Sequence, residues 1–109
     1  DNGSVEKMKN EFEKRRNFLV RALNDINNVS CATPGGAFYT MPDISYFIHN
    51  TGLENSEALA KYLLKNFHIA LVPGSAFGAE GYVRFSYATS MKNIKKGIKL
   101  FEKGLNSLR

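Results

Sequence analysis

The chain has 109 residues, 43% of them hydrophobic, and carries 15 basic against 10 acidic side chains for a formal net charge of +5. That length supports one compact core and excludes two, since single domains commonly run about 100 to 150 residues. The apolar runs fall short of the roughly 20 residues of a membrane span, the start Asp1-Asn2-Gly3-Ser4 leads into a charged helix and not into a secretory signal, and the single cysteine excludes an internal disulfide. The expectation is one domain over residues 1–109, cytoplasmic and away from membranes.

In residues 5–26, Met8, Phe12, Leu19, Ala22, Leu23 and Ile26 recur at spacings near three and four, which predicts a long amphipathic helix. Asn27-Asn28 interrupts it, and residues 29–33 and 37–41 read as the two short strands of a hairpin turning at Pro34-Gly35-Gly36, the second stopped by Pro42. Residues 45–51 are ambiguous. A second helical stripe follows in Ala58, Leu59, Tyr62, Leu63 and Phe67, with Asn55 and Ser56 as caps. Residues 69–72 predict a strand buried on both faces and stopped by Pro73-Gly74, and residues 82–88 a further strand beyond a glycine-rich loop. Ser90 then caps a last helix in which Met91, Ile94, Ile98, Phe101, Leu105 and Leu108 alternate spacings of three and four. The order of helix, two strands, helix, two strands, helix predicts an α+β domain, a small mixed sheet with helices packed on it. A first helix over residues 1–27 is longer than such a domain needs, as expected of a connection that continues from another domain.

Charge is concentrated at one end: residues 91–109 hold six basic side chains and one acid, while the remainder holds nine of each sign. The lysine stripe Lys92, Lys95, Lys96, Lys99 and Lys103 could meet nucleic-acid phosphates, so a free-standing basic α+β binding module without catalysis is the alternative function. It lacks an arginine cluster and interleaved aromatics, and a lysine-rich outer face mostly keeps a helix soluble; no nucleic-acid partner is expected. Cys31 has only His49 and His68 to accompany it, too few ligands for zinc, and reads as a small core strand residue.

Strand alternation in residues 82–88 turns Tyr82, Arg84, Ser86 and Ala88 to one face and Val83, Phe85 and Tyr87 to the other. A guanidinium held on a strand can clamp a carboxylate through two parallel hydrogen bonds. An ordinary surface arginine fits the same spacing.

The stretch Val72-Pro73-Gly74-Ser75-Ala76-Phe77-Gly78 followed by Val83-Arg84-Phe85-Ser86-Tyr87-Ala88 resembles the C-terminal signature of class I and II (fold type I) pyridoxal-phosphate aminotransferases of the aspartate aminotransferase type. Pro34-Gly35-Gly36-Ala37-Phe38-Tyr39 is similar to the strand that precedes it in that family, and Glu13-Lys14-Arg15-Arg16-Asn17-Phe18-Leu19 to the helix that leads into the family's small domain. The resemblance implies a C-terminal small domain whose Arg84 binds the α-carboxylate of amino-acid and 2-oxo-acid substrates. It implies pyridoxal phosphate in the intact enzyme, bound by a large domain of the same polypeptide that carries the Schiff-base lysine, and a homodimer formed through that domain. For this chain alone it implies no cofactor, no catalytic residue, no metal and no activity. Ser90-Met91-Lys92 imitates part of the cofactor-attachment motif without its glycine-x-arginine-x-glycine sequel, so Lys92 reads as a solvated helix residue. Phe38 and Ser75 lie in motifs that approach the family's active site but are explained by packing and turn geometry. Gly35, Gly36, Gly74 and Gly78 serve turns, and Tyr39, Tyr62 and Tyr87 read as tyrosines at a core edge.

Overall fold

The computed structural model describes residues 2–34 and 38–108, with Asn2 as backbone alone. Gly35, Gly36 and Ala37, where the expected turn and the start of the second strand fall, lie outside the described residues, as do Asp1 and Arg109. The first helix, α1, spans Asn2–Asn24. Its second half buries Leu19, Val20 and Leu23, whereas residues 3–11 are exposed.

Past α1, the described residues of the expected hairpin form no ladder with one another. Asn24 uses its side-chain amide to serve both backbone groups of Cys31: Nδ2 donates to the Cys31 carbonyl (2.8 Å) and Oδ1 accepts from the Cys31 N–H (2.9 Å). The Thr40 hydroxyl donates to the Ala32 carbonyl. Side chains thus satisfy the backbone that a partner strand would have paired, and only Ser30 makes an isolated bridge, to Asp43. The first true strand, β1, is Tyr39–Thr40.

The ambiguous segment is a helix, α2, over Ser45–Thr51, with Phe47 buried. The Asp43 carboxylate starts it by accepting from the Ser45 N–H and hydroxyl. The next helix, α3, covers Ser56–Phe67 behind an Asn55 cap whose Oδ1 accepts from the Ala58 N–H at 2.9 Å. His68 ends it in the left-handed region at φ 58°. Residues 69–71 are not the doubly buried strand expected: Ile69 is buried and Ala70 exposed, and the strand β2 is Val72–Pro73. Because β2 is an edge strand, the missing N–H of Pro73 is tolerated.

A 3-10 turn at Gly74–Phe77 leads to β3, Val83–Ser86, and the last helix, α4, runs over Met91–Asn106 with the Ser90 hydroxyl accepting from the Asn93 N–H. The sheet order is β1-β3-β2. The α+β class holds, but both ladders are antiparallel where a mixed sheet was expected. For β2 and β3 the cause is local: the Gly74 N–H donates to the Tyr82 carbonyl at 2.7 Å, so the loop closes on itself and returns β3 alongside β2 as a hairpin does.

All three long helices contribute to one core against the inner face of the sheet: Leu19 and Leu23 from α1, Leu59 and Leu63 from α3, and Ile94, Ile98, Phe101 and Leu105 from α4, beneath Val83 and Phe85. The Phe85 and Phe101 rings meet edge to face at 5.6 Å. Among the described residues no helix is long and apolar enough to cross a membrane. The lysines of α4 are all exposed.

This core is local to the chain, so the isolated polypeptide is expected to give an α+β circular-dichroism spectrum and to unfold cooperatively. Phe101→Ala should lower its unfolding free energy by about 3 to 5 kcal/mol in denaturant titration; a loss under about 1 kcal/mol would mean that this ring does not hold the layers together. A second expectation concerns Glu80, whose carboxyl lies below its ordinary value because the Ser56 hydroxyl and N–H, and then the Gly81 N–H, hydrogen-bond to the charged form. A depressed folded value means that the stabilisation is complete above the unfolded carboxyl's value of about 4.3 and disappears as pH falls through the lower folded one. Glu80→Gln should therefore lower the melting temperature at neutral pH and converge on the native protein in acid; parallel curves across that window would exclude this linkage.

Candidate functional site

Burial along β3 follows strict alternation. Val83 and Phe85, with Tyr87 just beyond the strand, are buried, while Arg84 is half-buried and Ser86 exposed. The sheet thus keeps its apolar residues on the helix side and delivers Arg84 to the other face.

Two aromatic rings meet Arg84 there. The guanidinium carbon lies 4.9 Å from the centroid of Tyr39 and 4.8 Å from that of Phe77, both within cation–π range. Tyr39 reaches it through register: it pairs with Ser86, and Thr40, turned the other way, is buried. Phe77 reaches it through the fold of the loop. A Cβ at Gly74 would collide with the carbonyl oxygens of Ala79 and Tyr82, so glycine is required where the loop closes, and Gly78 reverses the chain at φ 72° with its N–H donating to the Ser75 carbonyl. The turn role expected of these two glycines is the one observed.

The same loop is fastened to the start of α3. The Ser75 N–H donates to the Ser56 hydroxyl at 3.3 Å. The Glu80 carboxylate accepts from the Ser56 N–H at 2.8 and 3.2 Å and from the Gly81 N–H at 3.0 Å.

Arg84 itself is left open. The ion pairs among the described residues join Arg15 to Glu11 and Lys61 to Glu57, each one helical turn apart, and the Arg84 guanidinium makes neither an ion pair nor a hydrogen bond with any described residue. The rings cover apolar surface of the guanidinium and leave its N–H donors to an external acceptor. A planar anion such as a carboxylate fits that fork.

The other candidates are placed elsewhere. Phe38 packs its ring 5.0 Å from Phe12 of α1, and its carbonyl accepts from the Tyr87 N–H and the Ser86 hydroxyl. Lys92 is exposed on α4, which packs against the Phe85 face and so across the sheet from Arg84. The Tyr62 hydroxyl is 2.7 Å from that of Ser107, and Tyr87 is in the core. Cys31 is half-buried with its Sγ 2.8 Å from the Thr40 hydroxyl, and burial pushes the thiol up. No group of three potential metal ligands occurs among the described residues. Sequence reasoning missed Tyr39 and Phe77 as neighbours of Arg84, and Glu80 and Ser56 as the fastening beneath them. The Gly74 and Gly78 turn was the one available signal that the loop folds back.

The family model described as aminotransferase class I and II matches residues 1–101. A probable aspartate/prephenate aminotransferase of Aquifex aeolicus is 39% identical over 104 residues, covering 95% of this chain and 26% of that protein. Among solved structures, the aspartate aminotransferase of Rhizobium meliloti superposes with a TM-score of 0.89 at 31% identity, covering 96% of this chain and 28% of the other. The aromatic aminotransferase of Pyrococcus horikoshii does so with 0.83 at 37% identity, covering 96% and 27%. The chain spans about a quarter of the length of the curated relatives it matches. With the family model matching nearly its whole length and the fold shared with these enzymes, the chain belongs to the class I and II aminotransferases.

Proposed function

We propose that this chain is the C-terminal small domain of an amino-acid transaminase of the aspartate aminotransferase type, and that Arg84 binds the α-carboxylate of its amino-acid and 2-oxo-acid substrates. The observation that carries the reading is an arginine without a carboxylate partner among the described residues, held over Tyr39 and Phe77 within the matched segment. Arg84 supplies charge and two parallel donors; the rings limit where its plane can lie. Clamping one end of the substrate fixes the rest of it for reaction, and a domain that closes over it excludes water.

Pyridoxal phosphate, the cofactor of this reading, supplies an electron sink for amino-group exchange when bound. The residues around Arg84 do not fit it: Tyr39, Phe77 and Ser86 provide no amine for a Schiff base. In this reading the cofactor belongs to a large domain of the same polypeptide, α1 continues the connection from that domain, and the intact enzyme is a cytoplasmic homodimer.

In the intact enzyme, Arg84→Ala should lower kcat/KM for amino-acid and 2-oxo-acid substrates by roughly thirtyfold to several-thousandfold, the loss of about 2 to 5 kcal/mol for a charge-assisted bidentate contact. The absorbance of the bound cofactor should be unchanged. Arg84→Lys should restore part of the charge and little of the geometry. Near-normal efficiency in both variants would contradict the assignment. The isolated chain should show no saturable binding of pyridoxal phosphate by absorbance titration, and binding abolished by replacing Lys92 would oppose the division of labour described above.

A further inference from the structure

We propose that Glu80, together with Ser56, is a positioning residue for carboxylate recognition: it latches the loop after β2 to the first turn of α3 and so holds the Phe77 ring against Arg84. The inference rests on the reading of Arg84 as the carboxylate clamp and extends it to residues that touch no substrate.

Burial alone does not hold Phe77, because the residue is 49% exposed. Its contact with Arg84 does not hold it either, since an exposed cation–π contact biases a conformation only about two- to fivefold. The loop's own hydrogen bonds, from the Gly74 N–H to the Tyr82 carbonyl and from the Ala79 N–H to the Gly74 carbonyl, close its shape but do not orient it against the domain. Two links to Ser56, one from the Ser75 N–H and one through the Glu80 carboxylate, tie its near side to α3, while its far end is held by the Ile44 N–H, which donates to the Gly81 carbonyl at 2.8 Å. A carboxylate accepting from a first-turn N–H of a helix is a charge-assisted bond further favoured by the helix dipole.

The latch is not needed merely to start α3. Asn55 already caps that helix through the Ala58 N–H. Nor does Glu80 fill the core, because it is exposed. What its three accepted backbone bonds join is residue 56 to residues 80 and 81, that is, the helix to the loop that carries Phe77.

The test is a double-mutant cycle in the intact enzyme, assayed with the standard amino acid it transaminates fastest. Glu80→Gln should raise KM about two- to fivefold, the bias that the Phe77 ring exerts on Arg84, with kcat within about twofold. Phe77→Leu should raise KM comparably, and the double variant should be no worse than Phe77→Leu alone, because two residues acting through one contact are not additive. A merely structural role would lower the melting temperature without that coupling. Should Glu80→Gln fail to fold, Ser56→Ala removes the hydroxyl shared by Ser75 and Glu80 and should show the same non-additivity. An unchanged KM, or effects that multiply, overturns the latch. If Arg84→Ala raises KM while Glu80→Gln does not, the latch alone fails; if Arg84→Ala leaves KM unchanged, the clamp and the latch fail together.

Discussion

The two-residue period of β3 is the constraint on which the other features depend. Val83 and Phe85 must enter the core, where Phe85 meets Phe101, and once they do, Arg84 can only point away from the helices. A slip of one residue would bury the guanidinium and expose two large apolar side chains, a rearrangement costing several kcal/mol in lost apolar burial and charge desolvation. The packing that stabilises the domain therefore also fixes which side chain it presents.

What surrounds Arg84 determines how well that presentation is defined. Fixing an arginine side chain costs about 2 kcal/mol of rotamer entropy. Each exposed cation–π contact returns about 0.5 to 1 kcal/mol, so Tyr39 and Phe77 together offset much of that cost. Neither ring consumes an N–H donor. An acidic neighbour would orient the guanidinium more strongly but would occupy the fork, whereas aromatic flanks orient it and leave the fork open.

Much of this architecture was legible in the sequence where one residue's neighbours lie within a turn or a strand. The stripe Ile94, Ile98, Phe101 and Leu105 marked α4, Ser90 and Asn55 marked helix starts, and alternation placed Arg84 on its face. The departures arise where a distant side chain replaces a backbone partner. Asn24 takes the hydrogen bonds of Cys31 that a hairpin would have used, Asp43 nucleates α2 in a segment without a clear period, and loop closure at Gly74 makes the β2–β3 ladder antiparallel. The site divides in the same way. Alternation gave the face of Arg84 and the resemblance singled it out as the candidate, whereas the approach of Tyr39 depends on β1–β3 register and that of Phe77 on a loop tied to α3, and neither is a property of local sequence.

The most direct measurement is a structure of the intact protein with an unreactive amino-acid analogue that retains its α-carboxylate. Both carboxylate oxygens are expected at about 2.7 to 2.9 Å from Arg84 nitrogens, with Tyr39 and Phe77 still lying against the guanidinium. A carboxylate held by other residues, with Arg84 turned to solvent or paired with an acidic side chain elsewhere in the protein, would contradict it.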